Sequence, residues 1–400
     1  MDNGENAKVR WVDIVPVNHE GRQVFVIRDP EGITDKSLVV TREVLFLLSL
    51  MDGARSVRDI QEEYLRASGK LMYTEQITSV IETMDKHFLL LNDRYESEVQ
   101  RLRKEFDAMP CRTAFLSGRS YPDNAEELGL LLDGFLMQGR GDGGSKNVKA
   151  MIAPHIDYER GMGVYGPTYR HLPEEEGTLF VIFGTCHKFA PRTWNISLKD
   201  LVTPLGTIKA AEEVGRLIRE DPYLKEYIDE WPHRNEHSIE LQLPIIQYFL
   251  KKKDFEVLSI LTGSLHEYME DGARPEQGEA AELVKALKGV LKAYDGPVVF
   301  LAAADLAHIG AQFGDPGPLD RLTLQDSEQR DGELLHMIRN VDAAGFFETV
   351  RREGDRRRIC GLSPIYFVLS MLDSCRGEVI GYQQWTDGAS SVSFVGAVFY

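Results

Sequence analysis

Cysteine is scarce in this 400-residue chain: there are four, Cys111, Cys186, Cys360 and Cys375, and no two form a CxxC pair. Scattered cysteines of this kind exclude a disulfide framework and read as reduced thiols. A Cx3Cx2C run is missing too, so the chain offers no cluster motif for radical chemistry of its own. Long apolar stretches are also lacking. The longest, such as Val298 to Ala304, fall far short of the roughly 20 residues that cross a bilayer. The opening segment, MDNGENAKVRWVDIVPV, has no basic flank followed by an apolar run, so no secretory signal is read and a cytoplasmic location is expected. Positive charge is outweighed, 46 Lys and Arg against 63 Asp and Glu, for a net charge of −17. Binding to phosphate backbones or acidic lipid depends on clustered cations, so neither a nucleic-acid partner nor a membrane partner is expected. No internal repeat or low-complexity tract is present. A soluble enzyme or an interaction protein remains, and composition does not choose between them.

Hydrophobic residues make up 43% of the chain, enough for a packed core without staples. The length suggests one large and one small domain. Residues 1–100 read as the small one. Arg10–Val17 and Gln23–Arg28 are β-prone runs around the turn His19-Glu20-Gly21. Thr41, Ser56 and Thr74 each open an amphipathic helical pattern, and Phe88–Leu91 reads as a closing strand. Two strands, three helices and a β-tail suggest a winged helix. Residues 101–111 belong to a charged connecting helix that begins near Ser97. From 112 to 400 strands alternate with helices, which predicts an α/β fold with a largely parallel sheet covered on both faces. Strands are expected at Val148–Ala153, Thr178–Phe183, Glu256–Leu261 and Pro297–Ala303. Helices are expected at Gly161–His171, Ala210–Glu220, Glu236–Lys252, Glu279–Tyr294, Leu324–Asn340 and Pro364–Asp373. Val379–Trp385 and Ser391–Tyr400 resemble a closing antiparallel pair, and GDPGP at 314–318 a loop.

The histidines carry the functional signal. His155 follows one expected strand in Ala-Pro-His-Ile-Asp-Tyr, and His187 follows another in Gly-Thr-Cys-His-Lys. Asp305 and His308 follow a third in Ala-Ala-Asp-Leu-Ala-His. Three strands thus deliver metal-competent side chains just past their C-terminal ends, the edge where open α/β sheets bind ligands. Imidazole is the commonest transition-metal ligand, although a single histidine after a strand is more often a structural residue. Cys360, in Arg-Ile-Cys-Gly-Leu-Ser-Pro, reads alone as a buried small hydrophobe. Its position favours more: Gly361 permits close backbone approach, and Ser363-Pro364 starts a helix whose N-terminus could lower a thiol pKa. His237 lies in Glu-His-Ser-Ile-Glu-Leu-Gln-Leu-Pro, and Pro244 argues for a kink or break near the pocket.

These motifs, in this order and spacing, resemble the Memo family, whose bacterial members are often called AmmeMemoRadiSam system protein B. The resemblance runs from about Arg112 to Tyr400. It implies a three-layer fold like the catalytic subunit of extradiol (class III), non-haem iron dioxygenases. It also implies a metal site of two histidines and a cysteine, which fall on His155, His187 and Cys360, with Asp305 and His308 as pocket acid and histidine. The chain departs from the family in places: Asp157 stands where Gly is frequent, Lys188 replaces a histidine, Leu116 stands where a pocket histidine is usual, and Ala307 replaces a cysteine of animal members. These departures leave the ligand set intact and put a shared substrate in doubt. More weakly, residues 38–92 resemble PqqD-type winged-helix domains, which hold peptides or partner enzymes. Residues 1–110 carry 15 Lys and Arg against 20 Asp and Glu, which disfavours DNA binding by such a domain. The family resemblance further implies radical-SAM and AMMECR-type partner proteins.

The reading that follows is a redox metalloenzyme acting on a small molecule or a peptide, with iron as first choice and copper or zinc as alternatives. Two imidazoles and one anionic ligand leave open positions, the logic of facial-triad iron sites. His308, oriented by Asp305, is expected to move protons near neutral pH, and His237 to support the ligands or touch substrate. Two rivals stand beside it: a non-catalytic metal-binding adaptor, and a zinc hydrolase.

Overall fold

The computed structural model describes residues 6–19, 22–136, 147–173, 175–188, 190, 192–251, 253–270, 272–317 and 319–400. The chain divides into two compact units, Met1–Ala108 and Met109–Tyr400. Part of the turn expected at His19-Glu20-Gly21, and the final proline of GDPGP, lie outside the described residues.

In the first unit Asp13–His19 and Arg22–Arg28 pair antiparallel, and Leu38–Val40 adds to the free side of the second strand. Helices follow at Arg42–Leu50, Val57–Ser68, Thr74–Lys86 and Asp93–Ala108. Thr41 caps the first, its hydroxyl accepting from Val44 N. Ser56 and Asp59 form a reciprocal capping box on the second. The third differs from expectation: its N-cap is Tyr73, whose N–H is taken by the Gln76 side chain at 2.9 Å, so Thr74 lies inside the helix. Apolar residues at helical spacing close a core of Leu47, Leu48, Ile60, Ile77, Ile81 and Met84 under Ile27 of the sheet. Phe88–Leu91 contributes a single bridge, Leu90 to Val9, in place of a strand.

The second unit is built on a large mixed sheet. Its centre is parallel: Ala150–Ala153, Val298–Ala303, Thr178–Thr185 and Phe255–Thr262 lie side by side in that order. Ser390–Phe399 joins antiparallel to Ala150–Ala153, and Asp305–Gly310 and Gly377–Thr386 pair with Ser390–Phe399. At the far side stand Gly206–Ala210, Asp200–Thr203 and Cys111–Thr113, with Trp194–Ser197 on Phe255–Thr262. The central strands are predominantly apolar because both faces are covered. Leu179, Val181 and Phe183 face one apolar cluster, under the helices Glu212–Glu220, Glu279–Leu291 and Leu362–Met371. Phe180 and Ile182 face the other, under Tyr158–Tyr169 and Leu243–Leu250.

Several elements depart from the sequence reading. The helix expected over 236–252 is broken into a 3-10 turn, Glu240–Gln242, and a shorter helix from Leu243, with Pro244 in its first turn where proline costs no hydrogen bond. Helices Ala125–Leu136 and Ala343–Arg352 and the strand Asp305–Gly310 were not expected. Among the described residues no helix is long and apolar enough to cross a membrane.

Candidate metal centre

The parallel strands set the site. Ala150–Ala153 delivers His155 two residues past its end, and Thr178–Thr185 delivers His187 at the same interval. Val298–Ala303 leads directly to Asp305. A fourth wall comes from the irregular stretch before Glu240–Gln242, which carries Glu236 and His237. Cys360 enters from the turn before the helix Leu362–Met371. That turn packs against the chain at Asp305: Gly361 N donates to Asp305 O at 2.9 Å, and a Cβ at Gly361 would stand 2.2 Å from that oxygen. Only glycine allows the approach. Thr185 Oγ1 then donates to Cys360 O at 2.9 Å, tying the cysteine turn to the end of the strand before His187.

Two groups of ligand atoms result, each with all members within 4.8 Å of one another, and they share His155. The first is His155, His187 and His237; the second is His155, Asp305 and Cys360. Cys360 Sγ lies 3.2 Å from His155 Nε2, and Asp305 Oδ2 lies 3.7 Å from the same nitrogen. The rings of His187 and His237 stack with centroids 4.5 Å apart, and both stand edge-on to His155. His155, Asp305 and Cys360 are thus brought together around one nitrogen, and His155 also groups with His187 and His237, so of the three expected ligands His187 and Cys360 fall in different groups. His308 belongs to neither group, though its ring is near enough to feel the charge of His187. Its Nδ1 lies 3.1 Å from Leu306 O and its ring meets Phe313 edge-on, so main chain and an aromatic orient it, not Asp305. Asp305 instead accepts from His155 N at 3.0 Å.

Glu236 is the functional residue that sequence reasoning passed over. Its side chain is 2% exposed. It accepts from the main-chain N–H groups of His187 (2.8 Å), His237 (2.8 Å) and Ser238 (3.2 Å). The Nδ1 atoms of His187 and His237 both stand 3.0 Å from its Oε1. A carboxylate immediately before a histidine, Glu236-His237, was the available signal. His155 is held equivalently by the main chain, its Nδ1 lying 2.9 Å from Ala303 O. With each Nδ1 turned to an acceptor behind the ring, each Nε2 is left for other partners, as at His155, whose Nε2 meets Cys360 Sγ; such outer contacts are what fix metal-binding tautomers. Glu240 steadies the wall from behind. Fully buried, it meets Arg112 at 2.6 Å and accepts from Phe115 N, Leu116 N and the Tyr121 hydroxyl. Arg112 in turn donates to the carbonyls of His233 and Glu236.

Burial governs the electrostatics. It holds the His155 imidazole well below its ordinary value, helped by the charges His187 and His237 can carry. It pushes the Cys360 thiol well up, and Asp305 adds to the effect. Burial lifts Asp305 to about 7, against the opposing pull of the His155 N–H and of His237. It lowers His308 to about 4, so this ring is neutral at neutral pH, below the range expected for an unperturbed proton shuttle. For His237 burial works downwards but is outweighed by Glu236, and the net shift is upwards. The same pairing holds Glu236 well below the carboxylate range despite its burial. The site thus joins a neutral His155, a protonated thiol and a carboxyl that holds its proton up to about 7. The donor set fits a transition-metal ion: imidazole nitrogens, a thiol that a metal would deprotonate, and a carboxylate. His187 and His237 remain about one third exposed, which leaves a route for an ion to enter.

Fold and site define an α/β protein with a buried cluster of histidines, cysteine and carboxylate at the C-terminal edge of a parallel sheet. The family model described as Memo-like protein matches residues 112–398, and the chain belongs to that family. A MEMO1 family protein of Aquifex aeolicus is 29% identical over 98% of this chain and 99% of its own length, so that likeness includes the first unit. A MEMO1 family protein of Thermus thermophilus is 27% identical over 87% of this chain and 98% of its own. A solved structure of an uncharacterized protein from Escherichia coli K12 matches with a TM-score of 0.37 at 12% identity, covering 63% of this chain and 99% of that one.

Proposed function

We propose that His155, His187 and Cys360 hold a mononuclear transition-metal ion, with His237 beside them, and that the centre serves a redox reaction on a small-molecule or peptide substrate. The observation that carries this reading is the convergence on His155 of a thiol and two further imidazoles, with every Nδ1 anchored away from the pocket. Iron is the first choice because imidazoles with one anionic ligand leave open coordination positions; the thiolate keeps copper and zinc in play. When bound, such an ion supplies Lewis acidity and, for iron or copper, one-electron steps.

The protein's own groups do the rest. Glu236 orients His187 and His237. His308, neutral at neutral pH, accepts a proton at its Nε2, since Nδ1 faces the Leu306 carbonyl. Asp305, poised near 7, holds or releases a proton beside His155. The fold likeness to extradiol dioxygenases belongs to this proposal, as do the radical-SAM and AMMECR-type partners, for which the first unit is the natural docking element. A pull-down that is unchanged by deletion of residues 1–100 would remove the docking idea.

The test is metal analysis of anaerobically purified protein beside a His155→Ala variant. Iron in stoichiometric amount, lost in the variant and giving a nitric-oxide EPR signal, is the expected result. Stoichiometric zinc turns the assignment to hydrolysis. A folded protein that takes up no transition metal overturns the centre and leaves the adaptor reading.

A further inference from the structure

Outside the histidine cluster, at the end of the strand Phe255–Thr262, three side chains form a chain of hydrogen bonds. Ser264 Oγ lies 2.5 Å from His266 Nδ1, and His266 Nε2 lies 2.8 Å from Asp355 Oδ2. Ser264 and His266 are exposed, whereas the Asp355 side chain is 7% exposed. Asp355 is fixed from behind, its other oxygen accepting from Ile359 N at 2.7 Å. With the Asp355 carboxyl group as acceptor at Nε2, the ring tautomer that carries its proton there turns an Nδ1 lone pair to the serine hydroxyl. This is the order of parts in a nucleophile–base–orienter relay, with the two ring nitrogens exchanged relative to the serine-protease arrangement. The main-chain N–H of His266 also donates to Ser264 Oγ at 3.0 Å, a contact that stabilises negative charge as the hydroxyl loses its proton.

The serine opens on a cavity of about 600 Å³ lined by Arg192, Thr193, Glu226, Tyr227, Glu267 and Glu279 among others. That is room for a small acyl group and its alcohol. Three carboxylates against one guanidinium favour a neutral or cationic ester over an anionic one.

We propose that Ser264, His266 and Asp355 form a second, metal-independent site that hydrolyses small neutral or cationic carboxylic esters. Ser264 Oγ attacks the carbonyl carbon as its proton passes to His266 Nδ1. The ester C–O bond breaks, and the departing alkoxide takes that proton and leaves as the alcohol. Water then attacks the acyl-serine, losing a proton to His266 Nδ1, and the carboxylic acid departs as that proton returns to Ser264 Oγ. No oxidant or reductant is involved, and the metal reading is not required.

The decisive experiment is labelling of the full chain with a fluorophosphonate probe, followed by peptide mapping. One phosphonyl group per chain on Ser264, with loss of fluoride, is expected. Ser264→Ala should abolish both the label and the hydrolysis of p-nitrophenyl acetate. His266→Gln should slow labelling by about 100-fold or more, the usual contribution of a positioned base. An unlabelled Ser264 in folded wild-type protein overturns the proposal, and so does p-nitrophenyl acetate hydrolysis that survives Ser264→Ala unchanged.

Discussion

Replacing Glu236 by glutamine removes one charge and leaves the volume nearly unchanged, so its effect isolates the carboxylate's grip on two rings. That carboxylate receives main-chain N–H groups from His187, His237 and Ser238 and faces both ring Nδ1 atoms at 3.0 Å. A glutamine amide nitrogen must occupy one of the two oxygen positions, and at either it meets a donor. One buried donor is then left unpaired, which costs about 1–3 kcal/mol of stability. Both imidazoles also lose their anionic anchor, and such outer partners contribute roughly 10–100-fold to metal affinity. The expected loss in binding free energy is therefore about 1.4–2.8 kcal/mol. Metal-stripped wild type and Glu236→Gln, titrated with cobalt(II) against a chromogenic chelator, give the affinity; thermal unfolding beside it gives the stability. If Glu236→Gln melts lower yet binds cobalt as tightly as wild type, the rings do not depend on Glu236 and the reasoning fails.

Three further outcomes follow from the same contacts. If Cys360 is a ligand, its thiol, kept protonated by burial and Asp305, must release about one proton per ion bound; calorimetry in buffers of different ionisation enthalpy should show that proton, and Cys360→Ser should lose it and bind metal more weakly. Asp305 in the metal-free protein has a folded pKa near 7, above its ordinary value, so its protonated form stabilises the fold at low pH and that contribution is lost as pH rises through 7. Asp305→Asn should accordingly gain stability over wild type progressively from pH 4 to 7, by at most about 4 kcal/mol, as measured by denaturant unfolding across pH. Arg112→Met strands the Glu240 carboxylate and should lower unfolding free energy by about 3–5 kcal/mol in a urea titration; a change below 1 kcal/mol would show that Glu240 finds other compensation.

The sheet and much of the site were readable before any coordinates. Unbroken apolar runs announce strands covered on both faces, and His155, His187 and Asp305 stand just after them, so their meeting at one edge follows from parallel pairing. What could not be read depends on contacts between distant segments. Glu236 draws its role from His187, 49 residues away, and its one local signal is its place directly before His237. The apolar spacing from 236 to 252 suggested one helix; with Glu236 turned inward to two histidines, the chain forms only the 3-10 turn Glu240–Gln242 before the helix opens at Leu243. Asp305–Gly310 escaped notice as a strand because Asp and His interrupt its pattern, and because its pairing with Ser390–Phe399 shifts register between Asp305 and His308. The relay at Ser264 is equally non-local, since its acid comes from Asp355, 89 residues from His266.

The strand Ser390–Phe399 lies between Ala150–Ala153 and Asp305–Gly310, although it is synthesised after both. A ribosome that has made the first 350 residues has already produced His155, His187 and His237, but neither Cys360 nor the strand that separates the segments bearing His155 and Asp305. The full set of donors around His155 is therefore completed only by the last fifty or so residues of the chain to be made, although His155, His187 and His237 are made well before them.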